Sequence, residues 1–353
     1  MQDHRIRNEL LTLAGAGVLF FLLYLSTQYV SDYQIRLLNN AAIFITLAVT
    51  YNLINGITGQ FSLEPNAFVA IGAYTSALLT LSPAEKEISF IIEPIIWPLS
   101  VIQVPFFWSL VAAGIVTAFF GFLMGFPVFR VRGDYLAIVT LGFGEVVRAV
   151  ANNLQPITNG PLGLKALHNY TNLWWSWGFA TITLLFIGRL VASSYGLAMK
   201  AVREDEVAAE AMGVNAFRTK LLAFTTSAFF EGVAGGLLAH LITTISPSLF
   251  TFFLTFNLLI IIVAGGLGST TGAVIGALLF SFGGEWLRVV EEPMTVGSLQ
   301  IPGIPGMRMV VFSIILIFLM IFARNGIMGR REFSWDWLLG RSRLGRLIQG
   351  KGR

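Results

Sequence analysis

Apolar runs of about twenty residues recur down this chain, beginning with Leu10 to Val30, "LLTLAGAGVLFFLLYLSTQYV". An α-helix rises about 1.5 Å per residue, so about twenty residues cross the hydrocarbon layer of a bilayer. Ten such segments can be marked, at about 10–30, 36–55, 59–80, 104–126, 134–152, 174–191, 218–240, 252–268, 269–290 and 307–324. Composition agrees, with 55% of the 353 residues hydrophobic, 12% charged and 30 of them phenylalanine. The expected fold is all-α, a polytopic transmembrane helical bundle of about ten spans. The first run is too long for a signal-peptide core and lacks a small-x-small cleavage site after it, so it reads as a retained span. The third and ninth segments open on glycine and polar residues; each reads as a full crossing or as a broken, re-entrant one.

Loop charge tests this count. With the N-terminus inside, ten spans place Arg5, Arg7, Arg130, Arg132, Arg189, Lys200, Arg203, Arg218 and Lys220 on the cytoplasmic side. The tail adds Arg324, Arg330, Arg331, Arg341, Arg343, Arg346, Lys351 and Arg353. Opposite them lie Arg36, Lys86, Lys165, Arg288 and Arg308, together with Glu85, Glu87, Glu93, Glu291 and Glu292. Cytoplasmic loops carry the excess of Lys and Arg, so the count and the charges agree, and both termini are expected in the cytoplasm. The chain then divides into a transmembrane domain over 1–324 and a basic cytoplasmic tail over 325–353.

Several chemistries are excluded. There are no cysteines, hence no disulfides and no thiolate metal site, and His4, His168 and His240 show no metal-ligand spacing. No metal site is expected. The basic residues lack interleaved aromatic stacking platforms, so they read as topology and not as nucleic-acid binding. "GRLIQGKG" (345–352) has the Gly-x4-Gly-Lys spacing of a phosphate-binding loop. It lacks the Ser or Thr that would hold magnesium and has no room for a strand–loop–helix unit. No loop is long enough to form a soluble catalytic domain. Work done by this chain draws on a gradient or on a partner.

Charge gathers instead in "KAVREDEVAAEAMGVNAFRTK", residues 200–220, where eight of twenty-one side chains are charged. Helix formers run from Leu197 to Met212, Gly213 stands at the stop, and Asn215 is placed to cap the next helix. Ala201, Ala208, Ala211 and Met212 fall along one face. A short surface helix with a small-residue stripe is a docking element for another protein or an interfacial helix lying on headgroups. Alanines bury little area in lipid and suit close approach by protein.

Here the residues resemble a known family. "AVREDEVAAEAMGVNAFRTKLLAF" resembles the cytoplasmic loop of permease subunits in ATP-binding-cassette (ABC) importers, of the LivM type that serves branched-chain amino acids. "NLINGITGQFSLEPNAFVAIGAYTSALL" (52–79), "RGDYLAIVTLGFGEVVR" (132–148), "ISPSLF" (245–250) and "VAGGLGSTTGAVIGA" (263–277) are similar to further family segments in the same order. The resemblance implies a coupling helix over about 198–213, seated in a groove of an ATPase subunit. Its contact residues would be Arg203, Glu204, Asp205, Glu206, Ala208, Ala209, Glu210 and Gly213. Arg203, Arg218 and Lys220 would hold it against acidic partner surface or headgroups. It also implies a second homologous permease subunit, two ATPase subunits, an extracytoplasmic solute-binding protein, surrounding membrane lipid, and a prokaryotic cytoplasmic (inner) membrane. This chain would bind no cofactor; ATP and Mg would be used by the ATPase. The chain departs from the family at Glu64-Pro65-Asn66, where Gly-His and a small residue are usual, at Glu231, where a small apolar residue is common, and in lacking the Ile-x-Leu-Pro part of the loop motif.

Ionisable groups at membrane depth are expensive and face water, protein or a partner. Glu64, Glu145, Arg148 and Glu231 are the candidates. Glu145 and Arg148, three apart, form an ion pair that locks a span, or line a solute path. "GITGQFSLEPN" (56–66) combines glycines and a proline with Gln60, Ser62, Glu64 and Asn66. It reads as a broken helix exposing groups for a zwitterionic solute, or as a capped junction at the membrane edge. The Gly232–Gly236, Gly272–Gly276 and Gly121–Gly125 runs read as helix-packing faces. The resulting expectation is the permease of an ATP-driven importer for branched-chain amino acids, not itself an enzyme. A urea or short-amide permease, a gradient-driven transporter using Glu64 or Glu231, and a polytopic membrane enzyme are the alternatives.

Overall fold

The structure is a computed structural model that describes residues 2–90, 93–130, 135–287, 294–296, 299–301, 307–322, 326–329 and 331–333. Each of the ten apolar segments contains a helix. They are α1 (Gln2–Tyr29), α2 (Asp32–Asn52), α3 (Pro65–Thr80), α5 (Phe106–Val128), α6 (Tyr135–Asn153), α8 (Leu173–Ala192), α11 (Ala216–Ile242), α12 (Phe252–Gly265), α13 (Thr270–Trp286) and α14 (Met307–Phe322). Shorter helices join them: α4 (Pro83–Ser89), α7 (Gln155–Thr158), α9 (Ser194–Glu204) and α10 (Glu206–Ala211). Among the described residues six stretches are long and apolar enough to cross a membrane: Asp32–Ile57, Phe106–Val128, Tyr135–Asn153, Leu173–Ala192, Ala216–Ile242 and Pro247–Gly265. Helices α3, α13 and α14 have 16, 17 and 16 residues and fall short by length, and within α1 only the shorter apolar stretch Ala14–Tyr29 counts, so six of the ten segments are long enough. A departure from the all-helical expectation is a small antiparallel hairpin, β1 (Met294–Val296) with β2 (Leu299–Ile301), between α13 and α14. Arg132, Arg288, Glu291, Glu292, Arg324, Arg330, most of the 325–353 tail and the 345–352 motif lie outside the described residues.

Local chemistry sets the helix starts. Pro65 opens α3 where no N–H is needed. Asn172, Asp205, Asn215 and Ser269 cap α8, α10, α11 and α13, each side chain accepting an N–H of the first turn. Helices α2 and α11 are largely buried, and α11 packs on α5, α3 and α2. Close approach comes from small residues. A Cβ at Gly72 would fall on the backbone of Gly232, Gly121 lies on Ala228, and Gly265 lies against the backbone of Gly272. The small-residue runs are contacts between helices. Phe119, Phe122 and Leu123 of α5, Ile138 and Val146 of α6, Ile182 and Phe186 of α8, and Phe253 of α12 stay exposed on the outer surface. Large apolar side chains exposed along several helices in this way belong in lipid.

Candidate functional site

The α2–α3 connection is a break. Helix α2 ends in a π-helical turn, Leu53–Ile57, and the backbone from Gly59 to Leu63 is non-helical. Buried polar backbone needs partners, and it has them. The Ser62 N–H donates to Asn55 Oδ1 (2.9 Å), and the Ser62 carbonyl accepts from Tyr51 Oη (2.8 Å) and Asn55 Nδ2 (3.3 Å). The Leu63 N–H donates to Thr140 Oγ1 of α6 (2.8 Å), and the Asn66 N–H donates to Thr255 Oγ1 of α12 (3.1 Å). Asn66 Nδ2 donates to the Phe250 carbonyl (3.3 Å), and its Oδ1 accepts from Thr255 (3.2 Å).

Two carboxyl groups meet there. Glu64 is fully buried and accepts from the Ser62 hydroxyl. Glu231, reaching in from α11, is also fully buried. Ser227 Oγ lies 2.8 Å from Glu231 Oε1 and 2.8 Å from the Thr50 carbonyl. A chain of polar contacts links the two groups: Ser227 lies between Glu231 and the Thr50 carbonyl, and the adjacent Tyr51 hydroxyl donates to the carbonyl of Ser62, whose own hydroxyl bonds Glu64. Glu64 Oε1 and Glu231 Oε2 have no hydrogen-bond partner among the described residues. The structure therefore places Ser62, Glu64 and Glu231 in one buried polar cluster, with the Asn66 side chain beside it on Thr255 and the Phe250 carbonyl. Gln60 sits at the edge, half-buried, with Nε2 on the Thr58 carbonyl (3.4 Å). Glu145 is elsewhere: it pairs with Arg148 along α6, both side chains about two-fifths exposed, outside the cluster. Tyr51, Asn55, Thr140, Ser227 and Thr255 complete the site. The sequence signal for them was only a hydroxyl or amide inside an apolar run.

The charged stretch forms two helices and not one. Asp205 leaves the helical conformation (φ −159°, ψ 113°) and accepts the Ala208 N–H (2.9 Å), ending α9 and starting α10. Val202, Ala209 and Ala216 seat the pair in a small apolar cluster. Lys220 is almost wholly buried and pairs with Glu206 (2.6 Å). Arg203 turns inward, and Nη1 donates to the Gly56 carbonyl (3.0 Å). Of the three basic residues expected to face a partner, Arg218 is exposed while Arg203 and Lys220 point into the chain. Ala209 is buried; Glu204, Asp205, Val207, Ala208, Glu210, Ala211, Met212 and Gly213 are uncovered. A groove lined by Phe129, Arg130, Glu206, Glu210 and Phe217 runs beside α10. On the same side, residues 326–329 and 331–333 are tied to the α12–α13 turn. Glu332 accepts the N–H groups of Thr270 (2.6 Å) and Thr271 (3.0 Å) at the start of α13, where negative charge is favoured.

Apolar outer faces around a buried, polar helix break define a polytopic helical membrane protein with a candidate binding element inside it. The chain belongs to the family described as "Branched-chain amino acid transport system / permease component", whose profile matches residues 33–320. It is 35% identical over 284 residues to the high-affinity branched-chain amino acid transport system permease protein LivM of Salmonella typhimurium (strain LT2), covering 71% of this chain and 62% of the relative. To LivM of Escherichia coli (strain K12) it is 34% identical with the same coverage. To the permease protein LivH of Escherichia coli (strain K12) it is 25% identical over 313 residues, 82% of this chain and 92% of the relative. The chain thus spans less than two thirds of the length of these LivM relatives. No solved structure matches it.

Proposed function

We propose that this chain is a transmembrane permease subunit of an ATP-driven ABC importer, moving branched-chain, hydrophobic amino acids by alternating access. It does no catalysis itself; a separate ATPase uses ATP and Mg. Ten helices cross a prokaryotic cytoplasmic membrane, with both termini and the basic tail inside. Its partners are a second homologous permease subunit, two ATPase subunits, an extracytoplasmic binding protein and lipid. Resemblance to both LivM and LivH, each named as a permease protein of one transport system, supports a paired permease.

The observation that carries this reading is the α9–α10 pair, fixed to the bundle from within yet uncovered over Glu204, Val207, Ala208, Glu210 and Met212. Such a firmly seated, solvent-exposed helix face is what a coupling element requires. Gln60, Ser62, Glu64, Asn66, Glu145 and Glu231 are the groups assigned to the solute path, with Gln60 at its edge and Glu145 apart in its ion pair with Arg148. The two carboxyl groups with unpartnered oxygens favour a second reading, a gradient-driven carrier. Proteoliposomes separate the two. Uptake of labelled leucine that needs the ATPase partner, ATP and binding protein supports the importer. Uptake by the chain alone on a proton gradient supports the carrier. A binding protein that takes urea and refuses leucine would reassign the solute.

A further inference from the structure

Arg203 is held by three glycines from two different helix breaks. Its side chain is 18% exposed, and Nη1 donates to the carbonyl of Gly56 (3.0 Å) in the π turn that follows α2, where a helix end leaves its last carbonyls to other partners. A Cβ at Gly59 would lie inside the Arg203 side chain, and a Cβ at Gly268 would lie 2.9 Å from Nη1. Both glycines have positive φ, 71° and 86°, so the cradle uses backbone that other residues enter with strain. The breaks are also bonded to each other, since the Gly268 N–H donates to Asn52 Oδ1 (2.9 Å). From Gly56 the contact continues inward, because the neighbouring Asn55 grips both the N–H and the carbonyl of Ser62 beside Glu64. From Gly268 it continues through Ser269, which caps α13 and donates to the Arg331 carbonyl (2.7 Å).

We propose that Arg203 is the positioning residue through which displacement of α9–α10 reaches the polar path, by driving the α2–α3 break and the α12–α13 turn together. Its outer neighbour Glu204 holds the other edge of the guanidinium, with Nη2 2.7 Å from Oε1, so one planar group joins the exposed helix to both breaks. The guanidinium suits this task because it presents several donors in a rigid plane. This inference deepens the importer reading and rests on it. A chain of contacts becomes a transmission route only when coupling is measured across it.

Two experiments decide it. In proteoliposomes holding the full complex, Arg203→Gln should leave ATPase co-purification and hydrolysis within about twofold while leucine taken up per ATP falls about tenfold, the size of one lost charge-assisted hydrogen bond. Gly268→Ala, which crowds the same guanidinium, should give the same uncoupling. A parallel fall of uptake and hydrolysis, or loss of the ATPase, makes Arg203 a docking or merely structural residue and overturns the proposal; so does an unchanged ratio. The second experiment needs no partner. A nitroxide on Phe61→Cys, a position exposed in the break, should become more mobile when Arg203→Gln is added to the purified chain. Equal mobility overturns the link whatever the transport result. Wild-type uptake that ignores ATP refutes the importer reading and leaves this spin-label comparison to judge the contact itself.

Discussion

Glu64 and Glu231 are the residues whose presence needs an account. A carboxylate at membrane depth costs about 2.5 kcal/mol or more, and each of these keeps one oxygen without a hydrogen-bond partner among the described residues. A pair retained at that cost is expected to act on something that passes. Glu64→Gln keeps an acceptor for the Ser62 hydroxyl and removes the acid, so assembly on size-exclusion chromatography should be unchanged. Uptake should fall about tenfold, the effect of losing one charged interaction with a bound ammonium; unaltered uptake removes Glu64 from the path. This site was half visible in the sequence. Glu64 announced itself because charge, proline and glycine crowd one stretch, and Glu231 because it interrupts a small-residue run. Their surroundings were not visible: Asn66 finds Thr255 from 189 positions away, and nothing local ties the two. Arg203 and Lys220 show the converse. On a charged amphipathic stretch they read as outward, and only the glycine cradle and the acid at Glu206 turn them in.

At the scale of elements, two predictions concern how helices are held. Gly72→Ala places a methyl on the backbone of Gly232, where no rotamer change can relieve it. Overpacking of this kind costs about 1–3 kcal/mol, so the melting temperature of the purified chain should fall by several degrees. Gly188→Ala, with nothing within 4 Å of the new methyl, should leave it level or raise it. Helix α4 depends on a capping box, in which Glu85 Oε2 accepts from the Ser82 N–H (2.8 Å) and hydroxyl (2.9 Å). The Ser82 N–H, with smaller help from its hydroxyl and from His168, holds the Glu85 carboxyl below the ordinary carboxylate range against an opposing effect of burial. A carboxyl depressed in the folded chain contributes fully above its unfolded value, about 4.3, and loses that contribution as pH falls through the folded one. Corrected hydrogen-exchange protection of α4 should therefore drop below about pH 4, and Glu85→Gln should flatten that dependence. Elements were the most legible level. Twenty-residue apolar runs became helices because the period and the length leave no other buried form, and Gly213 and Asn215 ended and began helices where they stood. The split at Asp205 is not legible because helix formers dominate from Leu197 to Met212 with no proline or glycine between, while the break comes from a side chain capping its own successor turn.

The whole molecule turns on whether α3 crosses. Its 16 residues reach only about 24 Å at 1.5 Å each, short of a hydrocarbon core of about 30 Å. The non-helical stretch before it supplies the missing length at up to about 3.3 Å per residue. Irregular backbone survives at membrane depth where protein satisfies it, and Tyr51, Asn55 and Thr140 do so here. A crossing made here would be made by a broken element, with the break beside Glu64. A chain without cysteine lets this be read directly by single replacements. Tyr29, before α2, and Ile88, after α3, are both well exposed. If α2 and α3 both cross, Tyr29→Cys and Ile88→Cys lie on one face, and an impermeant maleimide added outside intact cells should label both. If α3 stops short, they lie on opposite faces and one of them should stay unlabelled until the membrane is opened. Met212→Cys, on the uncovered end of the α9–α10 pair, should label only after permeabilisation, and the bound ATPase should then shield it. Labelling of Met212→Cys from outside would place the coupling face on the side where no ATP is available, and the ATP-driven reading would fall with it.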